Sequence, residues 1–319
     1  MAVVGALIIG SVTTDLSAQE FAATRRVGIL SPYAASGSSF QDDVKRGLAD
    51  LGYIEGKTIT FELRFADGQT DRLPELARVL AGLKVDVIVT TTAPAVRAAM
   101  QATTTIPIVI GAVDDAVEQG FVASLAKPGG NVTGTSWLNA ELAGKRLDFL
   151  KQAFPNLTRV GILREAVGGG ASARAVMIAA QRLGMQAHIL ELRAPNELDD
   201  AFSELARIRV GALNVLDSPM ITTETSRIAD LASRYRLAAI FPNRRFIEAG
   251  GLMSYGPSLP TMYRRAATYV DRILRGAKPA ELPVEQPTIF ELVVSLRAAK
   301  LMGLSLSETI LVRADEVIE

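Results

Sequence analysis

Six short stretches of this chain hold the residue types that could bind or transform a small molecule. The first, Pro32-Tyr33-Ala34-Ala35-Ser36-Gly37-Ser38-Ser39, is rich in hydroxyls, with Ser38 and Ser39 closest to the helix that follows. Thr90-Thr91-Thr92-Ala93-Pro94 offers hydroxyls and, at Thr92 and Ala93, backbone donors ahead of a helix that could hold a carboxylate. A helix start suits an anion because its first N–H groups lack partners and the helix dipole is positive there. Ala112-Val113-Asp114-Asp115 supplies carboxylates. Further along stand Arg164-Glu165-Ala166, Asp217-Ser218-Pro219 and Pro242-Asn243-Arg244-Arg245. An arginine facing inward, Arg164 or Arg245, would grip a carboxylate through two parallel hydrogen bonds. Taken singly, each loop also fits a structural role. Serine, threonine and aspartate before a helix cap it and contribute ~1 kcal/mol. Gly168-Gly169-Gly170 lacks the spacing of a phosphate-binding loop or a dinucleotide fingerprint.

What places these loops together is the alternation of elements around them. Arg26–Ser31, Thr58–Phe65, Val85–Thr90 and Ile106–Gly111 read as strands, and Gln41–Leu51, Leu73–Leu83 and Pro94–Gln101 as helices between them. Ala116–Ala126 reads as a short helix closed by the turn Lys127-Pro128-Gly129-Gly130, with a strand from Asn131. A second run follows the same plan. Its strands are Arg159–Leu163, Gln186–Leu192, Gly211–Leu216, Ala238–Phe241 and Leu252–Tyr255, and its helices Ala171–Leu183, Glu197–Arg207 and Thr222–Arg234. Apolar strands separated by helices imply parallel sheets covered on both faces. In such sheets ligands bind beyond the carboxyl ends of the strands, which is where all six loops fall. The fold class is therefore α/β, with two Rossmann-like lobes, and a cleft between them is the expected site.

Composition narrows the chemistry. The 319 residues suffice for two cores. Acidic and basic residues number 34 each, so no concentrated basic field invites nucleic acid. No cysteine is present, which excludes disulfides, thiolate metal sites and cysteine nucleophiles. The single histidine, His188, lies in a strand-like run and fits a half-buried sheet position; no metal centre or cofactor is expected. An enzyme on this scaffold would have to rely on Asp114, Glu165 and Asp217. The N-terminal Ala2–Val12 is apolar and Thr13–Gln19 polar and small, like a secretory leader cut after Ala18, although no basic residue precedes the apolar run and Leu16 is bulky for a cleavage site. Residues 1–23 are expected to be a leader, and the mature protein soluble and periplasmic.

The strings Ser39–Gly56, Ala93-Pro94-Ala95, Leu125–Ser136 (LAKPGGNVTGTS), Glu248–Tyr255 and Gly276–Leu292 (GAKPAELPVEQPTIFEL) resemble bacterial ABC-transporter substrate-binding proteins, the family that includes tryptophan- and tyrosine-binding members. The resemblance runs from about Arg25 to Glu319, and the Lys-Pro-Gly-Gly-Asn-Val-Thr-Gly and Gly-Ala-Lys-Pro-Ala strings are its specific parts. It implies a type I periplasmic-binding fold with three crossover segments, near Thr133–Trp137, Gly251–Gly256 and Pro283–Phe290. One lobe would hold residues 24–135 and 256–284, with a helix at Leu259–Arg275, and the other 136–255 and 285–319.

By the same resemblance, the ligand would meet Ser38, Ser39, Thr92, Ala93, Asp114 and Ser136 from the first lobe and hinge. Glu165, Asp217, Asn243 and Arg245 would meet it from the second, with Tyr255 at a crossover. Trp137 could stack on a planar ligand or pack in the hinge. Relatives often carry Asp-Pro at Asp114-Asp115 and Asn-Pro near Arg164-Glu165, so this chain sets charge where they have neutral groups. The implied function is capture of a small organic solute, an amino acid or an aromatic or aliphatic carboxylate. The receptor would be a monomer that hands its solute to an ABC permease in the inner membrane and makes or breaks no bond. Two other classes share the scaffold. A cytosolic α/β enzyme would show turnover, and a sugar-responsive repressor would need an N-terminal helix-turn-helix, for which about two dozen residues before the first strand are too few.

Overall fold

The computed structural model describes residues 24–35, 39–137, 139–167 and 169–319. The chain begins with β1 (Arg25–Ser31), α1 (Phe40–Asp50), β2 (Ile59–Phe65), α2 (Leu73–Gly82), β3 (Val87–Thr90), α3 (Ala93–Ala102), β4 (Ile108–Asp114) and β5 (Val132–Trp137). These strands form one sheet in the order β2-β1-β3-β4-β5, with every neighbouring pair parallel. The whole of β3 is buried, the mark of a strand covered on both faces.

The second sheet is assembled from the rest of the chain. In order come α4 (Asn139–Ala153), β6 (Arg159–Glu165), α5 (Gly170–Arg182), β7 (Gln186–Leu192), α6 (Leu198–Arg207), β8 (Ala212–Val215), α7 (Pro219–Thr223), α8 (Thr225–Arg234), β9 (Ala238–Phe241), α9 (Arg245–Glu248) and β10 (Met253–Pro257). The chain then makes α10 (Leu259–Leu274), β11 (Phe290–Ser295), α11 (Leu296–Met302), α12 (Glu308–Arg313) and β12 (Glu316–Ile318). The strand order is β12-β11-β10-β9-β8-β6-β7, and only β10 and β11 run antiparallel.

The chain crosses between the sheets after β5, between β10 and α10, and between α10 and β11. Helix α10 returns to the first lobe and lies on α1 so closely that a Cβ at Gly47 would stand 2.7 Å from that of Ala267. The last crossover runs beside β5, where Ser136 N–H donates to the Glu285 carbonyl (2.9 Å) and Glu285 N–H to that of Gly134 (2.9 Å). Gly134 has φ +133°, and a Cβ there would meet the Ile110 carbonyl oxygen at 2.2 Å. Only glycine permits this approach, which coincides with a register shift between β4 and β5. One apolar cluster runs through both lobes, from Val27 and Ile29 to Val160 and Ile162, while two others cover the outer sheet faces.

Two sequence-based expectations change. Ala116–Ala126 is not a helix but a series of turns. Gly120 at φ +73° breaks any helical run, and the N–H groups of Phe121 and Val122 turn back to the Ala116 carbonyl. The apolar residues Phe121 and Val122 still pack into the first lobe, which is why their spacing imitated a helix. The expected helix Thr222–Arg234 is divided at Glu224 into α7 and α8. The leader expected at residues 1–23 lies outside the described residues.

Candidate functional site

The described parts of the loops singled out by composition stand at the carboxyl ends of β1, β3, β4, β6, β8 and β9. At β3, Thr92 caps α3 with φ +66°, a conformation costly for a β-branched residue. Its Oγ1 is buried without a partner, beside the first residue of α3, Ala93. Thr91 is fixed by donating to the Ala112 carbonyl (2.8 Å). At β4, the Asp114 carboxylate accepts the Asn139 N–H at 2.8 Å and so holds the start of α4. Burial pushes its pKa up to about 6, with repulsion from Asp217, Asp115 and Glu118 adding to the rise.

From the other lobe, Asp217 after β8 accepts the Thr222 hydroxyl at 3.2 Å. Burial raises its pKa too, while Arg146, Thr222 and Arg245 oppose the rise. Arg245 begins α9 after β9, and its charge acts on Tyr33, Tyr263 and Asp217. Asn243 is buried and accepts the Arg245 N–H (3.2 Å). Tyr33, after β1, comes near Thr222 and Asp217 of the other lobe, and burial with the nearby Tyr263 and Asp217 keeps its hydroxyl well above the usual tyrosine range. A Cβ on Gly68 would lie 3.7 Å from Thr223 Oγ1. The two lobes therefore come close together at these loops.

Sequence reasoning missed Arg146, on α4, the most deeply set charge of the centre. It is fully buried, with Nη2 donating to Asn139 Oδ1 (2.6 Å), Nε to the Leu142 carbonyl (3.3 Å) and Nη1 without a partner. Desolvation lowers its pKa to about 10, so it stays charged at neutral pH, between Asp114 and Asp217. A signal existed. Leu142, Ala143, Arg146, Leu147, Leu150 and Ala153 recur at helical spacing, and an arginine in an apolar stripe marks a buried charge. Tyr33 belonged to a loop already singled out, whereas nothing in its own segment marked Tyr263.

A cavity of about 940 Å³ lies along the interlobe flank and shares Thr222, Asn243 and Arg245 with this centre, while Asp114, Arg146 and Asp217 do not line it. Ser39, Asn243 and Arg245 line it; Ser38 lies outside the described residues. Other expected residues are used differently. Ser136 Oγ donates to the Val113 carbonyl and accepts the Ala116 N–H, both at 3.0 Å, so its hydroxyl is committed within the first lobe. Trp137 and Tyr255 are buried in the cluster shared by the lobes. Tyr255 meets Phe149 edge-on at 4.7 Å. Glu165 is partly exposed at the end of β6. Its neighbour Arg164 turns to β7 and pairs with Glu191 at 2.9 Å, so of the two candidate arginines it is Arg245 that faces the cleft. Among the described residues no cluster of His, Cys, Asp and Glu could hold a metal. No described helix is long and apolar enough to cross a membrane.

Two α/β lobes, three crossovers and a polar centre between strand ends define the class of two-lobed solute-binding proteins. A model of the ABC transporter substrate binding protein family matches residues 35–318, and the chain belongs to that family. Its members are binding proteins that serve ABC transporters, and not enzymes. A tyrosine-binding protein of Clostridioides difficile (strain R20291) is 26% identical over 288 residues, 86% of this chain and 81% of the relative. A Streptococcus pneumonia domain in complex with L-Trp superposes with a TM-score of 0.83 at 22% identity, over 93% of this chain and 100% of that one. A ligand-free, open substrate-binding protein with adhesive properties from Clostridium difficile gives a TM-score of 0.68 at 22% identity, over 93% and 99% of the two chains.

Proposed function

We propose that this chain is the extracytoplasmic receptor of an ABC importer for an amino acid or a related small carboxylate. The observation that carries the reading is the charge layout of the cleft. Asp114 comes from one lobe and Asp217 and Arg245 from the other, while α3 starts at Ala93 between them, its positive dipole end toward the cleft. A zwitterion matches this layout: its ammonium neutralises the facing carboxylates, and its carboxylate takes Arg245 or the α3 terminus. A solute touching both lobes is bound fully only when they close, so it shifts the population toward the closed form, and the permease reads that form. The better superposition on the L-Trp complex than on the open protein supports a closed receptor of this kind. The receptor acts as a monomer in the periplasm, without nucleic acid, after loss of the leader.

The test is a thermal-shift screen of the chain from Gln19 onward, unfolded and refolded to strip any solute carried from expression. Amino acids, aromatic acids, short carboxylates and sugars form the panel. A saturable rise for one amino acid or carboxylate group is expected, since a native-state ligand at 100 times its Kd adds about 2.7 kcal/mol. A well-folded protein that responds to no amino acid or carboxylate overturns the assignment. Amino-terminal sequencing of exported protein checks the leader, with Gln19 as the expected first residue.

A further inference from the structure

The 940 Å³ cavity reaches well beyond the charged centre, to α1 on one side and to α8, α9 and β11 on the other. Its walls tell what the far end of the solute must be. Among the described residues no aromatic ring lines it, and its apolar side is made of Ala35, Ala249, Pro257, Leu259, Pro260 and Val293. An aromatic side chain placed there would find no ring partner, and its apolar contacts would be aliphatic only. The charges cancel: Asp42, Asp43, Glu248 and Glu291 face Arg46, Arg244, Arg245 and Arg264. A balanced set creates no strong field for a second cation or anion.

Within this wall Asp43 is anomalous. It is 2% exposed, and its Oδ2 is buried without a hydrogen-bond partner. Its Oδ1 has Arg46 and Arg264 only at 3.8 and 3.9 Å, and both arginines are more than half exposed. A buried carboxylate oxygen left unmatched is costly, and a ligand that supplies a donor recovers that cost. Directly beside this acceptor stand two guanidinium groups that can only donate. A donor and an acceptor side by side on the ligand would complement the pair.

We propose that this flank is a carboxamide subsite, in which Asp43 accepts the amide N–H and Arg264 or Arg46 donates to the amide oxygen. The inference rests on the amino-acid reading above and specifies the solute's tail. A carboxamide can come from a glutamine-like side chain or from the peptide bond of a dipeptide, and both fit the volume.

Calorimetric titration of the refolded, solute-free protein with L-glutamine, L-alanyl-L-alanine, L-tyrosine and L-tryptophan tests this. At least tenfold tighter binding of one amide ligand than of either aromatic is expected; which amide wins names the source. Asp43→Asn turns an acceptor-only group into one with competing donors and should weaken that ligand at least tenfold. Ser226→Trp, at an exposed point of the cavity edge, should also weaken it while leaving the buried wall intact. Tighter binding of tyrosine or tryptophan overturns the subsite but leaves the receptor assignment standing. So does an amide affinity unmoved by both variants. Absence of binding by every amino acid and carboxylate overturns both.

Discussion

The floor of the cleft and its flank handle charge in opposite ways. On the floor Arg146, Asp114 and Asp217 are withdrawn from water, and their pKa values move toward the neutral forms. No ion pair within 4.0 Å joins these three described side chains; backbone and amide groups hold them apart instead. On the flank the arginines are in contact with acids, as Arg244 is with Glu248 and Glu316, and about two fifths of its side chain is exposed. The contrast shows where the receptor keeps its electrostatic leverage. Charges in a low-dielectric floor interact strongly with whatever enters, whereas solvated pairs on the flank are screened and contribute little.

Substitutions can break this contrast, the most damaging first. Arg146→Ala should lower stability by about 3–5 kcal/mol in urea unfolding, because it leaves the Asn139 oxygen and two buried carboxyls without their donor and field. Arg146→Met, which keeps the volume, should lose less. Asp114 gives the next largest effect, and it has a sign. With the folded-state pKa near 6 against 3.8, the folded protein binds more protons than the unfolded chain between these values. Stability therefore falls as pH rises from about 4 to 6, by about 3 kcal/mol, and is flat for this group above that range. Asp114→Asn should abolish that slope and raise stability at neutral pH, as read from unfolding midpoints at a series of pH values.

Tyr33→Phe removes only the hydroxyl that approaches Thr222 of the other lobe, and Thr222 keeps its bond to Asp217. A cost of about 1 kcal/mol is expected, read as a severalfold loss of solute affinity and a larger open fraction in small-angle scattering. Arg244→Gln on the flank should cost less than about 1 kcal/mol, and the loss should shrink further in high salt. An Arg244 effect as large as that of Arg146 would erase the distinction between floor and flank.

The same contrast explains what could be read in advance. Parallel strands were legible because stretches such as Val87–Thr90 are apolar on both faces, and the cleft loops followed from where those strands end. The loops that carry Asp114, Asp217, Asn243 and Arg245 could be placed in this way. Helix α4 was passed over, although its apolar stripe is regular, because Arg146 interrupts it where a leucine would be expected. Ser136 looked available as a hydroxyl, but a type and a place along the chain do not reveal that both of its hydrogen bonds are spent within the hinge. Contacts such as Tyr33 with Thr222 join residues far apart in the chain and leave no periodic trace.

That last approach brings side chains of the two lobes together at one point. Any stability it lends to closure would let the empty receptor spend part of its time in the shape it shows when loaded. A transporter that recognises shape would then be engaged by both forms. Its discrimination between them would depend on how long the shut form lasts, since a solute that satisfies the floor slows reopening while Tyr33 alone does so only briefly. Background consumption of ATP by such a transporter would be set in part by one phenolic hydroxyl on the receptor.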